Sequence, residues 1–281
     1  MNPISTLRAI ANEWQYSVQI GKDWRSRARL MTDYLLSHAM FAMPRTMLNR
    51  ERVITTRGGV KLSYRLNRGD LQGIREVWGN EVYTLPFATP SGALLDLGAN
   101  IGLTTTWMAT HNNFTKIVAV EPDHDNAVLL AKNLEQNGIK GEVIEAAVGP
   151  RDGTAYFKRS SWSNLGTCVE TSSGSDHPRG EEVAVRMVSV PSLLNQFGLD
   201  SLGVVKVDIE GSEQALFLDC SGWLDRASAL VVEFHLELVD YPLLTKTIAS
   251  HGFEHIPPSP RHTDCFVRLP AIDSIRPLLS V

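Results

Sequence analysis

From Ala93 onward the chain alternates short apolar runs with longer stretches whose apolar positions recur at helical spacing. ALLDL, KIVAVE, GEVIEAAVG, VVKVDIEG and ALVVEFHLEL read as strands; LTTTWMATH, NAVLLAKNLEQNG, PSLLNQFG and SEQALFLDC read as helices between them. Strands that alternate with helices in short cycles predict a mostly parallel sheet with helices on both faces, joined by right-handed crossovers. TAYFKRS and EVAVRMVSV alternate with period two and predict extra strands around the polar loop TSSGSDHPRGE. FEHIPP and CFVRLP predict a terminal antiparallel pair.

Before Ala93 the pattern differs. The first fifty residues read as helical, and Trp24, Ala28, Met31 and Leu35 repeat at helical spacing until Pro44 stops the pattern. That stripe is expected to pack across the main domain, with Arg25, Arg27 and Arg29 lying mostly off it. Val53 to Leu66 predicts a hairpin turning at Gly58-Gly59. The expected organisation is a helical and hairpin extension over residues 1–70 and an α/β domain over 71–281.

Composition adds bounds. Apolar residues are 43% and charged residues 21% of the 281, as in ordinary soluble domains. The net charge of -4 is unevenly spread: residues 1–57 hold nine Lys/Arg against four Asp/Glu, and the remainder eighteen against twenty-seven. An acidic main body speaks against a nucleic-acid partner, which needs clustered basic residues. The N-terminus lacks a basic head with an apolar core, no run approaches the roughly 20 apolar residues of a membrane span, and the three cysteines form no CxxC pair. A reduced, cytoplasmic protein with no transmembrane segment is expected.

The chemistry concentrates at strand ends. In LLDLGANIGL, Asp96 closes a strand, and Gly98, Ala99, Asn100, Ile101 and Gly102 form a turn whose missing side chains allow a ligand to approach. The helix that follows points unpaired amides at that place. A dinucleotide fingerprint would carry a middle glycine for the pyrophosphate; Asn100 stands there and points to a smaller anionic group. Glu121, at the end of KIVAVE with Pro122 ending the strand, is placed to accept both hydroxyls of a ribose, so an adenosine cofactor is implied. In VVKVDIEGSE, Asp208 should project into the crevice, Glu210 alternates with it, Ser212 is a possible helix N-cap, and Glu213 follows as a first-turn acid. VVEFHLEL is read as carrying Glu233, His235 and Glu237 on one strand face, with His235 the first candidate for a general base. No ligand spacing points to a metal, and none is expected. No G-x-S-x-G elbow occurs. SSWSNLGT, with Trp162, could cover a substrate.

Taken in order, WGNEVY, LLDLGANIG, VAVEPD, the AVG segment, SNLGT, VVKVDIEGSE and VVEFH resemble the FkbM family of S-adenosylmethionine-dependent methyltransferases across residues 78 to 238. The resemblance implies a Rossmann-like class I methyltransferase sheet, mostly parallel with a reversed last strand, and S-adenosyl-L-methionine as cofactor. It implies that Gly98, Asn100 and Gly102 face the methionine end, Glu121 the ribose, Ala146 and Ala147 the adenine edge, and Asp208 both the sulfonium side and the acceptor. The expected cofactor set is thus Asp96, Gly98, Ala99, Asn100, Gly102, Glu121, Pro122, Ala146, Ala147 and Asp208, and the expected catalytic set Asp208, His235 and Glu210. O-methylation of a small-molecule, sugar or polyketide hydroxyl is the expected activity, with a small-molecule or glycan acceptor as partner. A NAD-dependent dehydrogenase is the enzymatic alternative, and a non-catalytic cofactor- or partner-binding module the third. Oligomerisation through the N-terminal helix stays open.

Overall fold

The computed structural model describes residues 3–37, 43–159, 166–169, 182–256 and 263–268. Helices α1 (Pro3–Ile20), α2 (Trp24–Ser37) and α3 (Arg45–Leu48) precede the hairpin of β1 (Glu51–Thr55) and β2 (Lys61–Arg65). Helix α4 (Arg68–Ile74) runs on into a π-helical turn at Arg75–Gly79. The alternating region follows: β3 (Ala93–Leu97), α5 (Leu103–His111), β4 (Ile117–Glu121), α6 (His124–Glu135) and β5 (Glu142–Glu145). Next come β6 (Ala147–Val148), β7 (Gly153–Arg159), β8 (Gly166–Val169) and β9 (Glu182–Val188). The chain returns to the main sheet through α7 (Val190–Phe197), β10 (Leu202–Val207), α8 (Glu213–Leu218), β11 (Ala227–Val232), α9 (Tyr241–Ser250), β12 (Phe253–Ile256) and β13 (Asp264–Arg268).

The main sheet has seven strands in the order β12-β13-β11-β10-β3-β4-β5. Neighbours from β11 to β5 are parallel, and β13 runs antiparallel to both β11 and β12. This is the class I Rossmann-like sheet with its reversed last strand. Strands β3, β4 and β10 are buried along their whole length, as apolar runs covered on both faces should be. The order reverses between β3 and β10, and a crevice opens at the carboxyl ends of such strands. The smaller sheet, in the order β6-β9-β7-β8, hangs beside β5.

Two strands differ from expectation. GEVIEAAVG is split: Ala146 N–H donates to the Glu121 carbonyl (3.1 Å), after which β6 pairs with β9 instead of β4. ALVVEFHLEL stops as a strand at Val232. Its partner β10 ends at Val207, whose carbonyl accepts the last ladder bond from Glu233 N–H (2.9 Å). The following residues fold into a turn closed by Leu238 N–H on the His235 carbonyl (2.7 Å). Glu233, His235 and Glu237 therefore share no strand face, and Glu237 is exposed.

Helix α2 also corrects the sequence reading. Its buried residues are Ser26, Leu30, Asp33 and Tyr34, whereas Trp24 is 73% exposed and Leu35 41%. Hydrogen bonds decide the rotation: Thr55 N–H donates to Ser26 Oγ (3.0 Å), Tyr64 Oη–H to Asp33 (2.7 Å), and Arg52 pairs with Asp33 (3.2 Å). The extension shares one hydrophobic cluster with a face of the sheet, in which Ile20, Leu30, Leu62 and Tyr64 join Trp78, Trp107, Leu94 and Val231. The other face is covered by α7, α8 and α9 through residues such as Leu193, Phe217 and Leu244. Among the described residues no helix is long and apolar enough to cross a membrane.

Candidate functional site

The turn after β3 and the turn after β10 are pressed together. Gly98 has φ +79°, and a Cβ there would lie 1.8 Å from the Asp208 carbonyl oxygen, so only glycine allows the approach. Gly98 and Ala99 donate their amides to the Val120 carbonyl (3.0 and 2.9 Å), which ties the turn to β4. Gly102, at φ +80°, packs against Leu130 of α6. Asn100 adopts φ +49° and steadies the turn by accepting from Ile101 N–H (2.8 Å).

Glu121 ends β4 and is buried. Its carboxylate accepts from Asn100 N–H (2.9 Å), Asp123 N–H (3.0 Å) and Asn126 Nδ2 (3.1 Å). Burial nevertheless pushes its pKa up to about 7, because those donors only partly replace water. A cleft opens beside it. Ala146, Ala147, Val148 and Phe157 make an apolar slot at one end; Glu121, Pro122 and Asn126 line the middle. Gly98 and Asn100 face the other end, where Asp208, Ile209, Glu210 and Ser212 close the wall. Of the ten expected cofactor residues, Gly98, Asn100, Glu121, Pro122, Ala146, Ala147 and Asp208 thus line the cleft. Asp96, Ala99 and Gly102 lie behind the wall and shape it.

The most heavily charged group is below the two turns. Lys206, next to last in β10 and 2% exposed, donates to the Gly98 carbonyl (2.6 Å) and lies 3.3 Å from both Asp96 Oδ1 and Asp208 Oδ2. Burial opposes its charge, but Asp96, Asp208 and Glu233 outweigh that and raise its pKa. Asp96 is completely buried and also accepts from Thr105 Oγ1 (2.6 Å). The Asp208 carboxyl is raised by burial and by Glu210, against the pull of Lys206. Glu233, which accepts from Tyr83 Oη (3.2 Å), is pushed up to about 7 by burial and by Asp208.

His235 is held between two carboxylates, 3.2 Å from Glu210 through Nε2 and 2.7 Å from Glu213 through Nδ1. Hydrogen bonds to Glu210 and Glu213 push its pKa up to about 11. That shift favours the imidazolium, with both ring nitrogens donating to the glutamates. Ser212 makes no side-chain capping bond to α8; instead the buried Glu213 carboxylate accepts from Ile209 N–H (3.4 Å) and Gly211 N–H (3.2 Å). Asp208, Glu210 and His235 bring potential metal-ligating atoms within 4.8 Å of one another, though both His235 nitrogens are engaged by glutamates. Residues 160–165 of the SSWSNLGT loop, including Trp162, lie outside the described residues.

Sequence reasoning passed over Lys206, Tyr83, Asn126 and Phe157. A lysine inside the apolar run VVKVD was the available signal for Lys206, because a charge in a buried strand demands partners. Tyr83 carried no comparable local mark.

The description "Methyltransferase FkbM domain" matches residues 96–254, more than half of the chain. The chain belongs to the FkbM methyltransferase family. S-adenosylmethionine is the cofactor of this FkbM family member, and the dinucleotide alternative falls away. Among solved structures, an FkbM methyltransferase from Methylobacillus flagellatus KT is similar at 16% identity and TM-score 0.44, over 94% of this chain and 60% of that one. TrmK of M. capricolum, solved with S-adenosylhomocysteine, is similar at 11% identity and TM-score 0.37, over 67% of this chain and 65% of that one. The present chain thus spans less than two thirds of either relative's length. Comparison with curated proteins returns no match.

Proposed function

We propose that this FkbM family member transfers a methyl group from S-adenosylmethionine to a hydroxyl of a small molecule or sugar. The observation that carries the reading is Asp208, a part-exposed carboxylate at the end of the cleft, oriented from below by Lys206 at 3.3 Å. The apolar slot of Ala146, Ala147, Val148 and Phe157 suits an adenine ring, and Glu121 beside it suits the two ribose hydroxyls. A buried carboxylate whose pKa is raised to about 7 gains most from two further donors, which is the fit expected of a ribose partner. The glycine turn leaves room for the amino-acid end.

Bound in this way, the cofactor supplies an electrophilic methyl carbon. Transfer to the acceptor oxygen would leave the C–S electron pair on sulfur, and the chain's part is to hold that oxygen and take its proton. The hydroxyl proton passes to Asp208, because Glu210 and Glu213 on either side of His235 favour its protonated form. Holding the oxygen in line supplies much of the rate, and Asp208, with Glu210 close by, can accept hydrogen bonds from neighbouring acceptor hydroxyls. The acidic wall of Asp208 and Glu210, with Glu233 behind it, disfavours phosphorylated or carboxylated acceptors and suits a neutral polyol.

Labelled S-adenosylmethionine, incubated with a panel of polyhydroxylated acceptors, tests the reading. Asp208→Asn should lower turnover by at least about 100-fold while S-adenosylhomocysteine affinity stays within a few-fold. Full turnover in that variant would remove Asp208 as the base. If no hydroxyl acceptor is methylated but an amine is, the O-methylation reading fails.

A further inference from the structure

Helix α2 turns its purely apolar stripe to solvent. Trp24, Ala28, Met31 and Leu35 lie on one side over roughly 16 Å of helix, and all are exposed or half-exposed. Rotation of the helix cannot hide them, because Ser26 and Asp33 on the inner side are held by Thr55, Tyr64 and Arg52. At 100° per residue, Arg25 and Arg29 flank the stripe on one side and Arg27 on the other. Their hydrogen-bond and ring partners are neutral groups, although Arg25 also feels the Asp23 charge and Arg29 that of Asp33: Arg25 lies over the Trp24 ring (5.5 Å), Arg27 Nε donates to the Gly21 carbonyl (3.0 Å), and Arg29 to the Val53 carbonyl (2.8 Å). The acids of this region are largely spent elsewhere, Glu13 on Arg75, Asp33 on Arg52 and Glu51 on Lys132.

We propose that the outer face of α2 docks on an anionic lipid surface, with Trp24, Met31 and Leu35 entering the headgroup boundary and the flanking arginines meeting lipid phosphates. An apolar stripe bordered by arginines and led by a tryptophan is the composition that lies in a bilayer interface. Charge selects this occupant. A second copy laid face to face would set arginines against arginines, and a nucleic-acid backbone has no use for a Met and Leu stripe. The inference does not depend on the methyl acceptor or on the base.

Sedimentation of the full chain with phosphatidylcholine vesicles, with and without phosphatidylserine, tests it. The protein should pellet with the anionic vesicles only, and added salt should release it. Trp24→Ser and Leu35→Ser should each weaken partitioning about tenfold, and Arg25→Glu about fivefold or more. All three positions are solvent-facing, so thermal melting and its shift by S-adenosylhomocysteine should match the wild type. Wild-type protein that stays in the supernatant with both vesicles overturns the proposal. So does equal binding to neutral vesicles that ignores Trp24→Ser. A dimer in light scattering that Trp24→Ser converts to monomer assigns the face to a second copy instead, and capture of RNA lost in Arg25→Glu assigns it to nucleic acid.

Discussion

Glu121 joins a structural demand to a ligand-binding one. It pins the glycine turn through Asn100 N–H and helix α6 through Asp123 and Asn126, yet burial still lifts its pKa to about 7. The folded state therefore holds this proton more tightly than the unfolded chain does. Its contribution to stability is fullest below the ordinary value of 4.5 and is lost as pH rises towards about 7. Glu121→Gln should lack that slope, which denaturant unfolding at about pH 5 and about pH 8 would reveal; S-adenosylhomocysteine affinity should fall roughly tenfold or more by calorimetry. An unchanged affinity would contradict the ribose assignment. His235 has the same sign over a higher window. Raised from 6.5 to about 11, it stabilises the fold fully below about 6.5, and the contribution disappears as pH climbs through about 11. Nitrogen NMR near pH 8 should find both ring nitrogens protonated, and a ring titrating near 6.5 would restore it as a base. Asp208 and Glu121 were legible because each ends an apolar strand. The charge on His235 was not, because it depends on Glu213, 22 residues earlier in the chain, being folded against its ring.

At the scale of elements, one buried side chain couples three of them. Asn133 of α6 accepts from Ser63 N–H (2.7 Å) and donates to the Ser63 carbonyl (2.9 Å) and the Ile101 carbonyl (2.7 Å). One amide thus joins helix, hairpin and glycine turn, beside the bonds that Gln136 and Asn137 make to Lys61. Asn133→Ala leaves those backbone groups unpaired and should cost about 3 kcal/mol in urea unfolding, with weaker S-adenosylhomocysteine binding; a cost within experimental error would show the tie to be redundant. The alternation of β3 to β5 with α5 and α6 was legible because strand and helix periods differ. The end of β11 at Val232 was not, because VVEFHLEL keeps alternating after its partner strand has run out. The rotation of α2 was also hidden. Periodicity says which residues share a face and says nothing about which face is covered.

For the whole molecule, the sequence boundary near residue 70 does not separate two cores. Leu62 and Tyr64 of the hairpin and Leu30 and Tyr34 of α2 pack in the same cluster as Trp78, Trp107 and Leu94. A chain beginning at residue 70 should therefore expose that cluster, lose its cooperative thermal transition and aggregate. A sharp transition in the truncated protein would instead establish residues 71–281 as an independent domain. The extension reaches the site indirectly: through Asn133 it braces the turn at Ile101, and its own outer face stays free for another surface.

Apolar patterning alone determined the sheet class, the crevice at its carboxyl ends and the two turns that meet there. These follow from local periods and from glycines whose backbone needs no neighbour to be recognised. Glu121 and Asp208 belong to the same category, since a strand end has a defined position in a parallel sheet. Only tertiary structure decided what those groups are chemically. Lys206 beneath two turns, Glu213 behind His235 and Ser26 and Asp33 inside α2 act through partners distant in sequence, and both charge state and helix rotation depend on such partners.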